Sequence, residues 1–352
     1  MRCALIEFNE YHDEVLPTFV WLLNRLGITP DVYMVERSAR RRAFARSTGL
    51  RYRHRSVETM GRFGRLRWRL GRYDIAIVNS MEPPENLDRA ARLGIPVLGV
   101  VHNAHLLADD PAYRAFFAAP DHRPLVLGQH IAESIGASGG TPWWICHVVF
   151  GAPPRQPPTP GAPTVFAVTG NVEFGRRNYD ALLDAAGELA ADDQPFLVRI
   201  VGRSTYRDGK QLRATIEARG LAERFEFSPG EVAHPRFFRL LAESDFSLPL
   251  IDTSRVDFRP YLETKLASSV PFAIGLGVPL VANDALVRAY GIEGTGPTYG
   301  DGGLTEALRR AIASSQDERD AWRGALAAKR EEILESSLAN LRLAIAAVTG
   351  GR

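Results

Sequence analysis

Between Tyr261 and Asn283 the chain reads YLETKLASSVPFAIGLGVPLVAN, a polar, hydroxyl-rich stretch that runs into a short apolar helix and then a strand. These residue types suit an anion. Ser268 and Ser269 can cap the helix, whose first N–H groups lack intrahelical partners and carry the positive end of its dipole. Pro271 suits the first turn, where a missing N–H costs nothing. Lys265 stands just upstream, with a charge that could reach the same phosphate. Gly275 and Gly277 would end the helix, and Val278-Pro279-Leu280-Val281 reads as a short buried strand of a parallel sheet. Taken alone, Ser-Ser-x-Pro is also how an ordinary helix with solvated polar residues begins.

Further candidates lie near the start of the chain. Residues 2–8, RCALIEF, form a buried first strand, followed by a polar loop, Asn9 to Glu14, and an amphipathic run from Val15 to Leu26. Strand, loop and helix open a doubly wound sheet, whose ligands sit beyond the carboxyl ends of the strands. His12, Asp13 and Glu14, with Glu10, are therefore candidates for an acceptor site or a general base; alternatively they complement the dipole of the helix they precede. The strand Gly94 to Val101 ends in His102-Asn103-Ala104-His105, which places His102 where it can touch a ligand, although a satisfied loop histidine would have the same spacing.

These residues need a scaffold, and the chain has the material for one. Its 352 residues suffice for two domains with separate cores, and 45% apolar with 24% charged content is that of a soluble globular protein. No apolar run is long enough to cross a bilayer, and Met1 to Phe8 enters a strand pattern without signal-peptide architecture, so the cytoplasm is the expected compartment. Cys3 and Cys146 are too few for a disulfide framework and lack metal-ligand spacing. Between Glu36 and Arg72 thirteen Arg meet only two acids, with Tyr52, Phe63 and Trp68 interleaved. Without an RNA-binding or helix-turn-helix signature, this 37–72 segment reads as a peripheral contact for an anionic membrane rather than for nucleic acid; a solvated arginine face is the alternative.

The alternation of strands and helices continues through Asp74–Asn79, Gly94–Val101 and Leu125–Gly128, closing a first domain at residues 1–150. Residues 151–163, GAPPRQPPTPGAP, form a semi-rigid linker. A second doubly wound domain spans 164–315, and 316–352 is a long amphipathic helical segment that could return to the first domain. Neither a Gly-x-Gly-x-x-Gly fingerprint in the first domain nor a Gly-x-x-x-x-Gly-Lys-Ser/Thr loop anywhere is present, which disfavours dehydrogenases and P-loop kinases.

The stretch Phe196 to Val232, FLVRIVGRSTYRDGKQLRATIEARGLAERFEFSPGEV, resembles the donor half of GT-B glycosyltransferases: a strand ending Val201-Gly202, a helix, Gly220-Leu221, and a Phe-x-Phe strand leading to a glycine loop. Arg176-Arg177-Asn178 resembles the Arg-Lys-Asn turn of that group, and Gly277 to Val281 its Gly-x-Pro-Val-Ile strand. The resemblance implies two Rossmann-like α/β domains facing a cleft, with a nucleoside diphosphate sugar held by the second. It implies that Arg176, Arg177 and Lys265 offset diphosphate charge, that Ser268 and Ser269 bind phosphate oxygens, and that Pro229-Gly230-Glu231-Val232 meets the nucleobase through its backbone. No metal or further cofactor is required on this reading, and no Asp-x-Asp motif occurs. The acceptor would be a glycan, a lipid-linked glycan or a small molecule. If the reaction inverts, His12, Asp13, Glu14 and Glu10 supply the base; if it retains, His102 contacts the donor sugar. Two positions depart from the pattern. Retaining members carry two glutamates eight positions apart, whereas Glu263 has Arg255 before it and Pro271 after it, and Asn171 stands where Arg or Lys often follows the glycine. A catalytically silent GT-B scaffold that binds glycan or protein, or a nucleotide-sugar epimerase of the same fold, are the other readings.

Overall fold

Runs such as Cys3-Ala4-Leu5-Ile6 and Ile75-Ala76-Ile77-Val78 are apolar on both faces, the pattern of parallel strands covered on either side by helices. The computed structural model describes every residue except 46–48, 61–71, 137–141, 152–160, 231 and 351–352. Glu231, Phe63, Trp68 and most of the expected linker therefore lie outside the described residues.

The chain divides into two units, Met1–Gly151 with Glu263–Leu266 and Glu331–Arg352, and Ala152–Leu262 with Ala267–Arg330. In the first, β1 (Cys3–Ile6), β2 (Asp31–Met34), β3 (Arg53–Ser56), β4 (Ile75–Val78), β5 (Val97–Val100), β6 (His122–Val126) and β7 (Trp143–Trp144) form a parallel sheet. Its order is β3-β2-β1-β4-β5-β6-β7. The connection leaving β1 runs towards one edge and the one leaving β4 towards the other, so the loops part between these two strands. Ile6, Val78, Val97 and Tyr113 pack one face of this sheet into a dry core. The last part of the helix Gln316–Thr349 is tied to the same unit, where Ser337 Oγ accepts from Cys146 N at 3.2 Å and Asn340 Nδ2 donates to Trp144 O at 3.0 Å.

Two sequence expectations change here. The first strand ends at Ile6, so Glu7 belongs to the loop and not to a strand over 2–8. And Arg53–Ser56 is an edge strand inside the arginine-rich segment. Its exposed RHRS gives no apolar alternation, hence no strand signal. The arginines there also have more counter-charge than the local sequence suggests. Glu10 lies 2.7 Å from Arg37, Asp13 lies 3.2 Å from Arg41, and Asp31 pairs with Arg53 and Arg55, all three acids coming from outside the segment.

In the second unit β8 (Thr164–Thr169), β9 (Phe196–Val201), β10 (Phe225–Phe227) and β11 (Phe246–Ser247) form a parallel sheet in the order β10-β9-β8-β11. The helix Tyr179–Ala191 lays Leu182, Leu183, Ala186 and Leu189 against Phe166, Val168 and Val198; Asn178 caps it by accepting from Ala181 N at 3.1 Å. The strand expected over Val278–Val281 is displaced. Those residues are buried, and Ser247 exchanges hydrogen bonds with Pro279 O and Val281 N, but regular pairing begins only with β12 (Ala282–Asn283) beside β13 (Thr298–Tyr299). Pro279 has no N–H to give to a ladder.

Gly202 closes the end of β9 against the end of β8. A Cβ on Gly202 would stand 2.1 Å from Gly170 O, and its φ is 154°, so only glycine fits. Gly202→Ala is therefore expected to lower the stability of the second unit by about 1–3 kcal/mol, read as an earlier urea unfolding midpoint. Gly175→Ala, which meets nothing within 4 Å, should leave the midpoint within about 0.5 kcal/mol of the parent.

Candidate functional site

In the first unit the polar groups gather where β1 and β4 diverge, as expected for an open parallel sheet whose loops part at a switch point. Glu7 follows β1 directly, Asn79 and Ser80 follow β4, and His102 follows β5 by two residues. Glu7 is 0% exposed. Its Oε1 accepts from Asn9 N at 2.7 Å, and its Oε2 accepts from Asn79 Nδ2 at 2.6 Å and Ser80 Oγ at 2.8 Å. Burial pushes the Glu7 carboxyl up to about 7, against the opposing pull of His12 and of these three donors.

Asn79 Nδ2 also donates to His12 O at 2.8 Å. That carbonyl belongs to a residue with φ 70° and ψ 10°, a left-handed backbone that a histidine adopts at a cost of about 1–2 kcal/mol. The imidazoles of His12 and His102 stack with centroids 3.9 Å apart and planes at 29°. Their charges differ. Burial alone would depress His12, but the carboxylates of Glu14, whose Oε1 lies 3.7 Å from its Nδ1, and of Glu7 and Glu82 outweigh it and raise its pKa. His102 is held well below the usual range by burial and by the neighbouring His12. His102 Nε2 lies 2.8 Å from Asn79 O, which can only accept, so Nε2 carries the hydrogen and Nδ1 keeps its lone pair. The loop is fixed from the other side by Asn103 N, which donates to Glu82 Oε1 at 2.7 Å.

Of the candidates in the Glu10–Glu14 loop, His12 and Glu14 join this group. Asp13 is fully buried and ion-paired with Arg41, and Glu10 is on the surface with Arg37. Lys265 is grouped with this unit too: it forms an antiparallel bridge with Asn103, while Thr264 O accepts from Ala104 N at 2.9 Å. Glu263, which ends the short helix Pro260–Glu263, falls in the same segment. Glu7, Asn79, Ser80 and Glu82 were not singled out by sequence; the signal was a polar residue standing directly after an apolar strand.

In the second unit the carboxyl ends of β8 and β9 carry Gly170 and Gly202, with the side chain of Arg177 against Gly170. A Cβ on Gly170 would stand 2.8 Å from Arg177 Nη2. Arg177 is half-buried and donates from Nη1 to Asn171 O at 3.3 Å; among the described residues no carboxylate pairs with it. Arg176 differs, since Glu173 Oε2 lies 2.6 Å from its Nε. Asn178, with its N–H on Leu250 O and its amide on Asp252 Oδ2 at 2.8 Å, holds the Arg177 turn onto the end of β11. Leu250 itself has φ 55°, a strained backbone for a branched side chain.

The helix expected after the Ser-Ser pair spans Ser269–Leu276 and stops at Gly277, whose φ of 65° is the left-handed stop that glycine allows. Ser268 occupies the cap position without a capping hydrogen bond. Ser269 is 2% exposed, and its Oγ has no partner among the described residues. Val232 precedes the helix His234–Ala242 and is half-buried.

No family model matches the sequence, and no curated protein matches it closely enough to count. Solved structures do match. HepE from Anabaena, in complex with UDP, superposes with a TM-score of 0.62 over 98% of both chains at 12% identity. A glycosyltransferase from Rickettsia africae gives 0.61 over 97% of both at 11%, and WaaG, a glycosyltransferase involved in lipopolysaccharide biosynthesis, gives 0.56 over 100% of both at 13%. The fold of this chain is GT-B, an α/β fold of two Rossmann-like domains. No helix among the described residues is long and apolar enough to cross a membrane.

The Glu7 environment has a measurable consequence. A carboxyl raised from 4.5 to about 7 on folding binds its proton more tightly in the native state, so its contribution falls as pH rises from about 4.5 through about 7. The loss is roughly 3 kcal/mol. Urea denaturation at pH 5 and pH 7.5 should show that decline in the parent, and Glu7→Gln should flatten it.

Proposed function

We propose that this protein is a glycosyltransferase that moves a sugar from a nucleoside diphosphate sugar to a hydroxyl-bearing acceptor. The observation that carries the reading is Arg177: a half-buried guanidinium with no carboxylate partner among the described residues, whose Nη2 lies against the Gly170 backbone at the end of β8. With one backbone carbonyl as its hydrogen-bond partner among those residues, the guanidinium fork has donors left for an anion. A diphosphate meets them, since guanidinium takes phosphate oxygens in a fork of two hydrogen bonds. The buried Ser269 hydroxyl without a partner, in the first turn of its helix, supports the same assignment.

In the reaction the bond from the anomeric carbon to the diphosphate oxygen breaks and its electron pair leaves with the diphosphate. A bond from the acceptor oxygen to that carbon forms, and the acceptor proton passes to a base. Charge builds on the departing diphosphate in the transition state, so Arg177 acts where stabilisation accelerates the step. The His12–His102 pair is the acceptor-side counterpart: His102 Nδ1 offers a lone pair to a hydroxyl proton, and the stacked His12 provides positive charge. HepE, whose fold this chain shares, has been crystallised with UDP and with UDP and glucose, which supports the assignment. Lys265, Arg176 and the 229–232 loop belong to the donor side of the proposal. The acceptor is proposed to be a glycan, free or lipid-linked.

Calorimetric titration with UDP, GDP, ADP and TDP tests the reading. One nucleoside diphosphate should bind and raise the melting temperature, and Arg177→Ala should weaken it about 10- to 100-fold, the worth of a charge-assisted contact. Lys265→Ala measures whether the lysine shares that charge. Absence of binding by all four at millimolar concentration would falsify the assignment.

A further inference from the structure

Resting on the acceptor-side reading above, one residue that the motif analysis passed over stands at the centre of the first unit's polar cluster. We propose that Glu7 is a positioning residue, which through Asn79 and Ser80 sets the arrangement of the His12–His102 pair that meets the acceptor hydroxyl.

Among the described residues Glu7 makes no hydrogen bond to either ring, yet its partners hold both residues of the pair. Asn79 Nδ2 bridges Glu7 Oε2 and His12 O, at 2.6 and 2.8 Å, and so holds the left-handed backbone from which the His12 ring projects. Asn79 O receives the Nε2 hydrogen of His102 at 2.8 Å. Ser80 Oγ lies 3.3 Å from the same Nε2 and 2.8 Å from Glu7 Oε2. Since Asn9 N and Asn79 Nδ2 can only donate, the arrangement is complete when Glu7 is a carboxylate that also accepts from Ser80. A protonated Glu7 would turn a donor towards one of these groups and break the set. The chain of contacts thus couples the ionisation of one buried acid to the placement of two imidazoles.

The groups facing the pair are few. His12 meets Glu14 from its own loop, Glu7 after β1, Glu82 after β4 and His102 after β5. His102 meets His12, Glu14 and His147, the last kept neutral by burial, with its pKa at about 4. Asp13 is compensated by Arg41. Removing negative charge at Glu7 should therefore make His12 easier to deprotonate, with Glu14 and Glu82 left in place to retain part of the effect.

The test is a pH titration of the imidazole ring protons by NMR on the full chain, with the His12 signal assigned by its loss in His12→Asn. In Glu7→Gln the His12 midpoint should fall by about half a pH unit or more. Ser80→Ala keeps the charge but removes one donor from Glu7, so Glu7 holds its proton to higher pH and the His12 midpoint should fall in the same direction, by less. This second variant keeps the test open should Glu7→Gln not fold. In a transfer assay the alkaline limb of the rate profile, where His12 loses its charge, should move with the His12 midpoint, while nucleoside diphosphate affinity stays within about twofold of the parent. Unchanged His12 titration in a folded Glu7→Gln or Ser80→Ala protein overturns the proposal. Shifted titration in a protein with no transferase activity upholds the coupling and overturns the glycosyltransferase reading instead, so the two failures are told apart.

Discussion

The carboxylate of Glu7, taken out of water, is the constraint on which the first unit's site depends. Burying such a group costs several kcal/mol, and three donors each return on the order of 1.5–3 kcal/mol when they meet a charge. The two sides nearly balance, and the remainder is the upward displacement of its pKa to about 7. Any residue that supplies one of the three hydrogen bonds is therefore held in place as firmly as Glu7 itself. Two of them, Asn79 and Ser80, come from the loop that parts from β1 at the switch point.

That geometry explains how two histidines in contact acquire different charges. They share a stack, but the carboxylates surround His12, while His102 is spent on a backbone carbonyl and deprived of water. One ring is poised as a cation and the other as a neutral acceptor with a fixed tautomer. A single histidine near its ordinary pKa could not hold both states at one pH.

The second unit solves the opposite problem, that of presenting positive charge. Gly170 and Gly202 bring two strand ends together with no side chain between them, and the Arg177 side chain lies against Gly170. Asn178 fixes the turn by capping the following helix with its oxygen and bonding Asp252 with its amide. The strained Leu250 carbonyl accepts the Asn178 N–H, so the distortion in β11's exit is tied to the same turn. In the proposed donor site, backbone close approach beside one arginine, rather than a dense set of lysines, is what makes room for an anion.

Sequence by itself determined the class of fold: apolar strands such as CALI, IAIV and VLGV carry their own signal, because a parallel strand must be apolar on both faces, and glycines at 170 and 202 mark a close approach of strand ends while Gly277 marks a left-handed helix stop. It also brought out His12 and His102, which follow strands that can be read locally, and Arg177 through the resemblance of its turn to that of GT-B glycosyltransferases. Tertiary structure alone decided the rest. Glu7 reads as one more residue of a strand until the loop after β4 is seen to satisfy it; Asp31 and Glu10 neutralise arginines that are distant in sequence; and β3 pairs with β2 through its backbone, without an apolar pattern of its own. Local sequence encodes which face of an element must be dry. Which polar groups meet inside, and with what charge, depends on contacts between residues that are distant in the chain, from 22 positions for Asp31 and Arg53 to 72 for Glu7 and Asn79, and those exist only once the sheet has formed.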